Sequence, residues 1–381
     1  MTATGNSLVQ GGLEQLLPAY ARGDVTFVRG EGARLWDDEE REYLDFGGGI
    51  AVVSLGHRHP APLAAAHEQL DRLWHVSNLY RTEPAEALAE RLSERFGGAQ
   101  AFFCNSGAEA IEATLKYARK AAGKPGVVAL EGSFHGRTLG ALSVTGQPAK
   151  RAAFEPGVPG VRFVPPNDVE ALRAAASDDV GLILLEPILG EGGVVPLDVE
   201  FLEAAAALPP LLAFDEIQTG AGRTGSFFAF EQLGVRPELV TLAKGLANGL
   251  PIGALLVADE APRGFEPGDH GSTFGGSPVS CAAARAVVDA IDDELLANVT
   301  EQGSVLATAL AALPGVTQVR GRGLLLGAVL ERPAAEVVAQ CREQGLVVLT
   351  AGDDVLRLAP PLTVGEAEVA EAMGILERIL C

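Results

Sequence analysis

The chain has 381 residues, of which 48% are hydrophobic, and a formal net charge of −21. This length allows two or three domains with a large core. The acidic balance argues against nucleic acid and anionic membrane surfaces as partners, and we find no signal pattern or uncharged apolar stretch that would span a bilayer. The four cysteines have no paired spacing, so we expect reduced thiols in a cytoplasmic protein.

The residue pattern predicts three parts. Residues 1–46 are expected to form an arm with one short helix in the first 20 residues, followed by an antiparallel meander in which apolar and polar residues alternate. Residues 47–290 alternate apolar runs with helical patterns, which is typical of an α/β domain with a mostly parallel sheet. Residues 291–381 are predicted to form a smaller α+β domain, against which the meander packs.

The stretch AFFCNSGAEAIEATLKYARKAAG predicts a strand that leads directly into a helix. Ser106 and Glu109 have the spacing of a capping box, and Gly123 suits the position after the helix end. The free amide groups and the positive dipole end at residues 105–108 would bind an anion such as a phosphate. An ordinary capped helix is the alternative.

Two further loops carry candidate ligand-binding residues. In the loop GSFHGRT, Phe134 could lie on the face of a planar ring and Arg137 could bind a carboxylate with two nitrogens, although each is more often structural. Glu191 is an isolated acid in a glycine-rich turn after an apolar run predicted as a strand over 181–188. No metal site is predicted, because His57 and His59 stand in a proline-ended turn without a neighbouring cysteine or carboxylate cluster.

The central stretch, residues 211–249, holds two apolar runs that end in reactive side chains. The first run ends in Asp215 and Glu216, and the second ends in Lys244. Open α/β sheets bind ligands beyond the carboxyl ends of their strands, so we expect Asp215 and Lys244 in one crevice. Among the five lysines only Lys244 is bracketed by apolar and small residues. A desolvated amine can act as a nucleophile and form a Schiff base, whereas a lysine that reaches out to solvent is the alternative.

Between these two runs, residues 220–225 match the pattern GxGxxG. A dinucleotide-binding fingerprint requires strand, turn and helix in immediate succession. Here two acids intervene after the strand, and no periodic helix follows. A nucleotide-binding module is therefore a disfavoured alternative.

The ordered set NSGAEA, FHGRT, EPILGEGG, FDEIQTGAGRTG, AKG and GSTFGG resembles the class III, or ω-type, pyridoxal-phosphate aminotransferases. The resemblance runs from about Val25 to the carboxyl terminus. It implies an α/β protein of aminotransferase fold type I, with a large domain around a mostly parallel central sheet and a smaller α+β domain. It also implies a homodimer with shared active sites and pyridoxal 5'-phosphate as cofactor.

The implied reaction is a transamination between an ω-amino donor such as N-acetylornithine and 2-oxoglutarate. Enzymes that act on succinylornithine, ornithine, 4-aminobutyrate or carrier-linked lysine share much of the motif set. Racemases, aminomutases and decarboxylases can use the same fold and lysine. These alternatives stay open at the level of the sequence.

The resemblance also implies roles for residues in the matching motifs. Lys244 would carry the cofactor covalently, and Asp215 would keep the ring nitrogen protonated, so these two are the expected catalytic residues. The other expected cofactor contacts are Gly107 and Ala108 at the phosphate, Phe134 on the ring face, Gln218 at the ring hydroxyl, and Thr273 at the phosphate of the neighbouring subunit. Because Ala108 replaces the threonine of many members, only its backbone contact is expected.

The resemblance likewise implies four substrate-binding residues. Arg137 would bind the α-carboxylate of the amino donor, and Ser272 would lie beside the substrate. Arg357 would bind 2-oxoglutarate. Glu191 would be the intramolecular partner of Arg357 when no carboxylate occupies it.

Overall fold

The structure is a computed structural model that describes residues 15–381. The predicted amino-terminal helix falls mostly on residues outside this range, and residues 15–20 form turns and bends. Within the described range, no helix is both long enough and apolar enough to cross a membrane.

The strands are, in chain order, β1 (Phe27–Glu31), β2 (Arg34–Asp37), β3 (Glu42–Asp45), β4 (Ala99–Cys104), β5 (Gly126–Leu130), β6 (Val161–Val164), β7 (Val180–Leu185), β8 (Ile188–Leu189), β9 (Val195–Pro196), β10 (Leu211–Asp215), β11 (Leu239–Leu242), β12 (Gly253–Ala258), β13 (Val316–Arg322), β14 (Leu325–Leu330), β15 (Leu346–Val347), β16 (Leu349–Thr350) and β17 (Val355–Leu358).

The helices are α1 (Gly48–Ala51), α2 (Pro60–Arg72), α3 (Glu83–Phe96), α4 (Gly107–Ala122), α5 (Leu139–Ser143), α6 (Pro148–Arg151), α7 (Val169–Ala175), α8 (Val199–Ala206), α9 (Pro278–Ala290), α10 (Asp293–Ala311), α11 (Ala334–Glu343) and α12 (Glu366–Leu380).

The central sheet has the strand order β4-β12-β11-β10-β7-β5-β6. Strand β12 is antiparallel to both of its neighbours, while the remaining pairs are parallel. Successive residues of a strand face opposite sides, so Phe214 contributes to one apolar layer and Ala213 to the other. Helix α4 covers the second layer. This is the predicted α/β architecture with a mostly parallel sheet, and the fold-class prediction is confirmed.

The amino-terminal meander and the carboxyl-terminal elements share a sheet. Strands β1, β2 and β3 pair antiparallel, as the alternating pattern predicted. Strand β15 then adds to β3 in parallel, and Phe46 lies in the same core cluster as Leu346. The domain boundaries at 46/47 and 290/291 stay predictions.

Two local predictions were wrong in detail. The strand predicted over 181–188 ends at Leu185, because Pro187 has no N–H for the sheet; β8 instead pairs with β9 in a hairpin around Glu191. The capping box at α4 is only half formed. Ser106 Oγ accepts a hydrogen bond from the N–H of Glu109, but the Glu109 carboxylate binds the amide side chain of Asn105.

The glycine-rich segment 220–225 serves packing between the central sheet and the carboxyl-terminal elements. No helix follows it directly, as predicted. The buried guanidinium of Arg223 donates to the carbonyl oxygens of Leu324, at 3.0 Å, and Pro360. A Cβ at Gly225 would lie 2.4 Å from Oγ1 of Thr300. The glycines therefore let the chain pass close to α10.

The same Gly→Ala change should have opposite effects at two positions. At Gly253 a Cβ would lie 2.3 Å from the carbonyl oxygen of Ser106, at the start of α4, so we expect Gly253→Ala to lower the free energy of unfolding by about 1–3 kcal/mol. At Gly374, inside α12, the atom nearest to an added Cβ is 3.8 Å away. Gly374→Ala should therefore raise the free energy of unfolding by about 0.5–1 kcal/mol. Urea unfolding measures both, and equal stability of the two variants would contradict this account.

Candidate active site

The candidate site is a cavity of about 410 Å³ at the carboxyl ends of β10 and β11. Asp215 is the last residue of β10, and Lys244 follows β11 by two residues. The strands lie side by side in parallel, which is why two side chains distant in sequence open on one space. The cavity is lined by Val52, Asn105, Ser106, Gly107, Ala108, Phe134, His135, Gly136, Arg137, Glu186, Asp215, Ile217, Gln218, Ala243, Lys244, Gly249, Leu250, Pro251 and Ile252.

The carboxylate of Asp215 is held by donors from three segments. Its Oδ1 accepts the N–H of Ile217 at 3.0 Å and the hydroxyl of Thr241 at 3.3 Å. Its Oδ2 lies 2.7 Å from Nδ1 of His135. Burial lowers the pKa of His135, but the hydrogen bond and charge of Asp215, together with the charge of Glu186, outweigh burial and raise it. The protonated Nδ1 therefore donates, and the carboxylate stays in one orientation beside the cavity.

Lys244 has an unusual backbone and a perturbed amine. Its φ is +41°, in the left-handed region that residues other than glycine seldom adopt. The hydroxyl of Ser54 donates to the carbonyl oxygen of the next residue, Gly245, at 2.7 Å and helps to hold this turn. Burial lowers the pKa of the Lys244 amine, Glu191 raises it and Arg357 lowers it. The net lowering favours the neutral, nucleophilic form.

The start of α4 offers an anion site at the cavity wall. The first intrahelical bond runs from the N–H of Ala110 to the carbonyl of Ser106. This leaves the amides of Gly107 and Ala108 without an acceptor in residues 15–381. A Cβ at Gly107 would lie 2.7 Å from Cδ1 of Ile217, so a larger residue here would require the Ile217 side chain to move.

Glu186 is a functional candidate that the sequence reasoning missed. It directly follows β7, and Asp215 is the last residue of β10; this similar position at a strand end was the available signal. Its carboxylate accepts the N–H of Phe134 at 2.8 Å and that of Gly190 at 3.0 Å. Burial raises the pKa of Glu186 to about 7. One buried acid thus ties the Phe134 loop to the hairpin that carries Glu191.

Arg357 and Glu191 form an ion pair, as the resemblance had implied. Nη1 of Arg357 lies 2.5 Å from Oε1 of Glu191, although 166 residues separate them. The same nitrogen donates to Oε1 of Gln218 and to the carbonyl of Gly190, each at 3.0 Å. Burial raises the pKa of Glu191, but the charge and hydrogen bond of Arg357, together with the charges of Lys244 and Lys150, outweigh burial and lower it. Gln218 connects this pair to the cavity.

The other expected substrate residues lie in two places. Arg137 is exposed at the cavity mouth, with its Cζ 5.6 Å from the centroid of the Phe134 ring. Ser272 and Thr273 do not line this cavity; they line a second one, of about 410 Å³, together with His270 and Glu112. Ser272 Oγ accepts the N–H of Gly275 at 3.0 Å. Within one described chain, therefore, Thr273 does not meet the amides that start α4.

The donor set fits pyridoxal phosphate. Two free amides at a helix start suit a phosphate, a buried carboxylate fixed by His135 suits a ring nitrogen that carries a proton, and Phe134 supplies an aromatic face. Two buried nitrogens in or beside the cavity, Nε2 of His135 and Nε of Arg357, lack a partner in the described residues. Polar residues of this kind around an apolar pocket are typical of a cofactor site.

Comparison with known proteins gives a consistent result. The family model described as aminotransferase class-III matches residues 19–380. An acetylornithine aminotransferase from Gloeobacter violaceus is 49% identical, with 97% of each chain covered. The structure of an N-acetylornithine aminotransferase from Stenotrophomonas maltophilia is 38% identical, covers 94% of this chain and 96% of its own, and has a TM-score of 0.83. That of an ornithine aminotransferase from Toxoplasma gondii is 31% identical, covers 98% and 93%, and has a TM-score of 0.91.

The raised pKa of Glu186 predicts a pH dependence of stability. The folded state keeps a proton on Glu186 up to about pH 7, whereas the unfolded chain releases it near 4.5. The contribution to stability is therefore largest below pH 4.5 and is lost as the pH rises through 7. We expect Glu186→Gln to make the fall in the free energy of unfolding over this range shallower, by up to about 1.4 kcal/mol per pH unit.

Glu216 provides a matched control for Glu186. It is also buried, accepts two backbone N–H groups, from Ala229 and Phe230, and has its pKa raised by burial to about 7, but it does not line the cavity. Glu216→Gln should also make the free energy of unfolding, measured by urea titration, fall less steeply with pH. Only Glu186→Gln should weaken the affinity for pyridoxal phosphate, because only Glu186 holds Phe134. Unchanged slopes, or equal losses of affinity, would contradict the assignment.

Proposed function

The chain belongs to the class III aminotransferases, and from this premise we propose that it transfers the ω-amino group of N-acetylornithine to 2-oxoglutarate with pyridoxal phosphate as cofactor. The products are N-acetylglutamate 5-semialdehyde and glutamate. The observation that carries the proposal is the meeting of Lys244, Asp215 and the start of α4 at one cavity. The choice of donor is supported by the names of the relatives at 49% and 38% identity.

Different residues of the chain would perform different parts of the catalysis. When bound, pyridoxal phosphate supplies an electron-withdrawing ring that stabilises the electron pair left on the carbon that loses a proton. Lys244 would hold it covalently, and once freed, its amine would move that proton as general base and acid. Asp215, fixed by His135, would keep the ring nitrogen protonated. Gly107 and Ala108 would bind the phosphate, Phe134 the ring face, and Gln218 the ring hydroxyl.

The Glu191–Arg357 pair would let one site accept two unlike substrates. The reacting end of N-acetylornithine carries no carboxylate, so Glu191 would neutralise Arg357 during that half-reaction. The reacting end of 2-oxoglutarate carries a carboxylate, which would displace Glu191. Arg357 can bind either carboxylate with charge-assisted hydrogen bonds, so the exchange is close to balance. Arg137 would bind the α-carboxylate of the donor.

A homodimer with shared sites is part of the proposal. Trp74, Tyr80 and Phe274 are 69%, 70% and 63% exposed, which is unusual for large aromatic residues. The side chain of Asn78 donates to the carbonyls of Ser272 and Gly275, each at 2.8 Å, so these aromatic residues flank one surface. A second copy that covers this surface would bring Thr273 to the partner's phosphate site and Ser272 to its substrate.

The function is tested with a panel of amino donors and with Lys244→Ala. The wild-type enzyme should turn over N-acetylornithine with 2-oxoglutarate in preference to ornithine, 4-aminobutyrate and succinylornithine. Lys244→Ala should lower turnover by at least about 10³-fold and should abolish covalent labelling of the chain by pyridoxal phosphate and borohydride.

The matched control is Lys124→Ala. Lys124 lies before β5, at the amino end of the strand, whereas the cavity lies at the carboxyl ends of β10 and β11. It should keep both turnover and the labelled peptide. Labelling at another lysine would disprove the role of Lys244. Turnover that does not depend on a keto acid would favour a racemase, aminomutase or decarboxylase.

The role of Glu191 is tested by measuring the two half-reactions separately. In Glu191→Ala, Arg357 is no longer neutralised, so the apparent affinity for glutamate and 2-oxoglutarate should rise about tenfold relative to that for N-acetylornithine. Glu191→Gln, which keeps a hydrogen bond without the charge, should give an intermediate value. Equal effects on both half-reactions would leave Glu191 as a structural acid.

A further inference from the structure

We propose that Lys150 binds, together with Arg137, the substrate carboxylate that lies farthest from the reacting group. We refer to this as the distal carboxylate. In N-acetylornithine it is the α-carboxylate, and in 2-oxoglutarate it is the carboxylate at C5. This inference rests on the proposed function and adds a second cation to the substrate site.

Lys150 lies beside Phe134, a residue that lines the cavity, although Lys150 itself does not line it. Its Nζ is 5.4 Å from the centroid of the Phe134 ring, and Cζ of Arg137 is 5.6 Å from the same centroid. Lys150 belongs to the short helix α6 and is half-buried. Two cations thus flank the aromatic ring expected to stack on the cofactor.

The chain holds Lys150 in this position through the Phe134 loop. The amine donates to Oε1 of Gln147. The Gln147 amide in turn donates to the carbonyl of Gly132 at 3.1 Å. The N–H of Gly146 donates to the carbonyl of Ser133 at 3.0 Å. Residues 132–134 and 146–150 are therefore one connected unit, and movement of Lys150 relative to Phe134 is restricted.

The charge of Lys150 has no carboxylate partner among residues 15–381. Lys120, by contrast, pairs with Asp269 and Glu266. Within residues 15–381, no acid lies within 4.0 Å of the Lys150 amine, and its hydrogen-bond partner is a neutral amide oxygen. Burial lowers the pKa of Lys150, Glu191 raises it, and Arg137 and Arg357 lower it. A partly desolvated cation near two other cations gains much from an anionic ligand.

The proposal explains a requirement common to both substrates. N-acetylornithine and 2-oxoglutarate differ at the reacting end, where the Glu191–Arg357 pair would adapt. They share a carboxylate at the other end, where Arg137 and Lys150 need not change. A fixed cationic pair would select for that shared group and would hold each substrate in one orientation. An alternative role of Lys150 is to hold Phe134 by a cation–π contact.

Lys150→Met tests the proposal, because it keeps the apolar stem and removes the charge. The substrates form matched pairs with and without the distal carboxylate: N-acetylornithine with N-acetyl-1,4-diaminobutane, and 2-oxoglutarate with 2-oxobutyrate. We expect kcat/KM to fall about 10- to 100-fold for the carboxylate-bearing member of each pair and less than about threefold for the other. Lys150→Arg should restore most of the loss, and Lys124→Met should cause none.

Binding measured by calorimetry separates this proposal from the function on which it rests. Glutarate spans the same two carboxylates as 2-oxoglutarate but does not react, and butyrate has only one. Lys150→Met should weaken glutarate binding to the holoenzyme and leave the affinity for pyridoxal phosphate unchanged. Failure of the wild type to turn over N-acetylornithine would contradict the proposed function alone. If Lys150→Met lowered kcat/KM equally for both members of each pair, or left glutarate binding unchanged, the role of Lys150 would be overturned.

Discussion

The buried carboxylate of Asp215 is the feature on which the site depends. A carboxylate that is 3% exposed is costly unless donors surround it. The donors come from the loop after β5, from the turn after β10 and from β11, through His135, Ile217 and Thr241. Satisfying one acid therefore fixes three segments relative to each other. Those same segments carry Phe134, Gln218 and, two residues past β11, Lys244.

A second buried acid, Glu186, connects these segments to the rest of the site. Glu186 binds the backbone of Phe134 and of Gly190, so it sets the distance between the aromatic face and the Glu191 hairpin. Arg357, on β17, then reaches the hairpin and Gln218 from the carboxyl-terminal sheet. Arg223 makes a second connection to that part of the chain, through the carbonyls of Leu324 and Pro360. The two sheets are thus joined where the substrate would bind.

The sequence predicted what local patterns encode. The strands that end near Asp215 and Lys244, the helix from Gly107 to Ala122 and the meander follow from apolar periodicity and turn residues, and the structure confirms them. Strand β13 was missed because its residues are mostly polar and partly exposed, which hides the alternation.

Contacts between distant segments escaped the sequence for a different reason. The bond from Glu186 to Phe134 and the position of Lys150 beside the same ring depend on which strands are neighbours. Strand order is a property of the whole sheet, and no short pattern specifies it. The contact between Glu191 and Arg357 was expected only through the family resemblance, which carries information about folds already known. The roles of the site residues stay predictions.

The charge distribution would give the proposed site its selectivity. A chain with a net charge of −21 repels dicarboxylates at long range. Yet Arg137, Lys150, Lys244 and Arg357 gather in and around the cavity. Arg137 and Arg357 contribute to lowering the pKa of Lys150, and Arg357 contributes to lowering the pKa of Lys244. Such a cluster is unfavourable without anions, so Glu191 stabilises it, and a bound phosphate or carboxylate would stabilise it further. Ligands that carry carboxylates at the matching positions would gain this energy, while amines of the same length without a carboxylate would not.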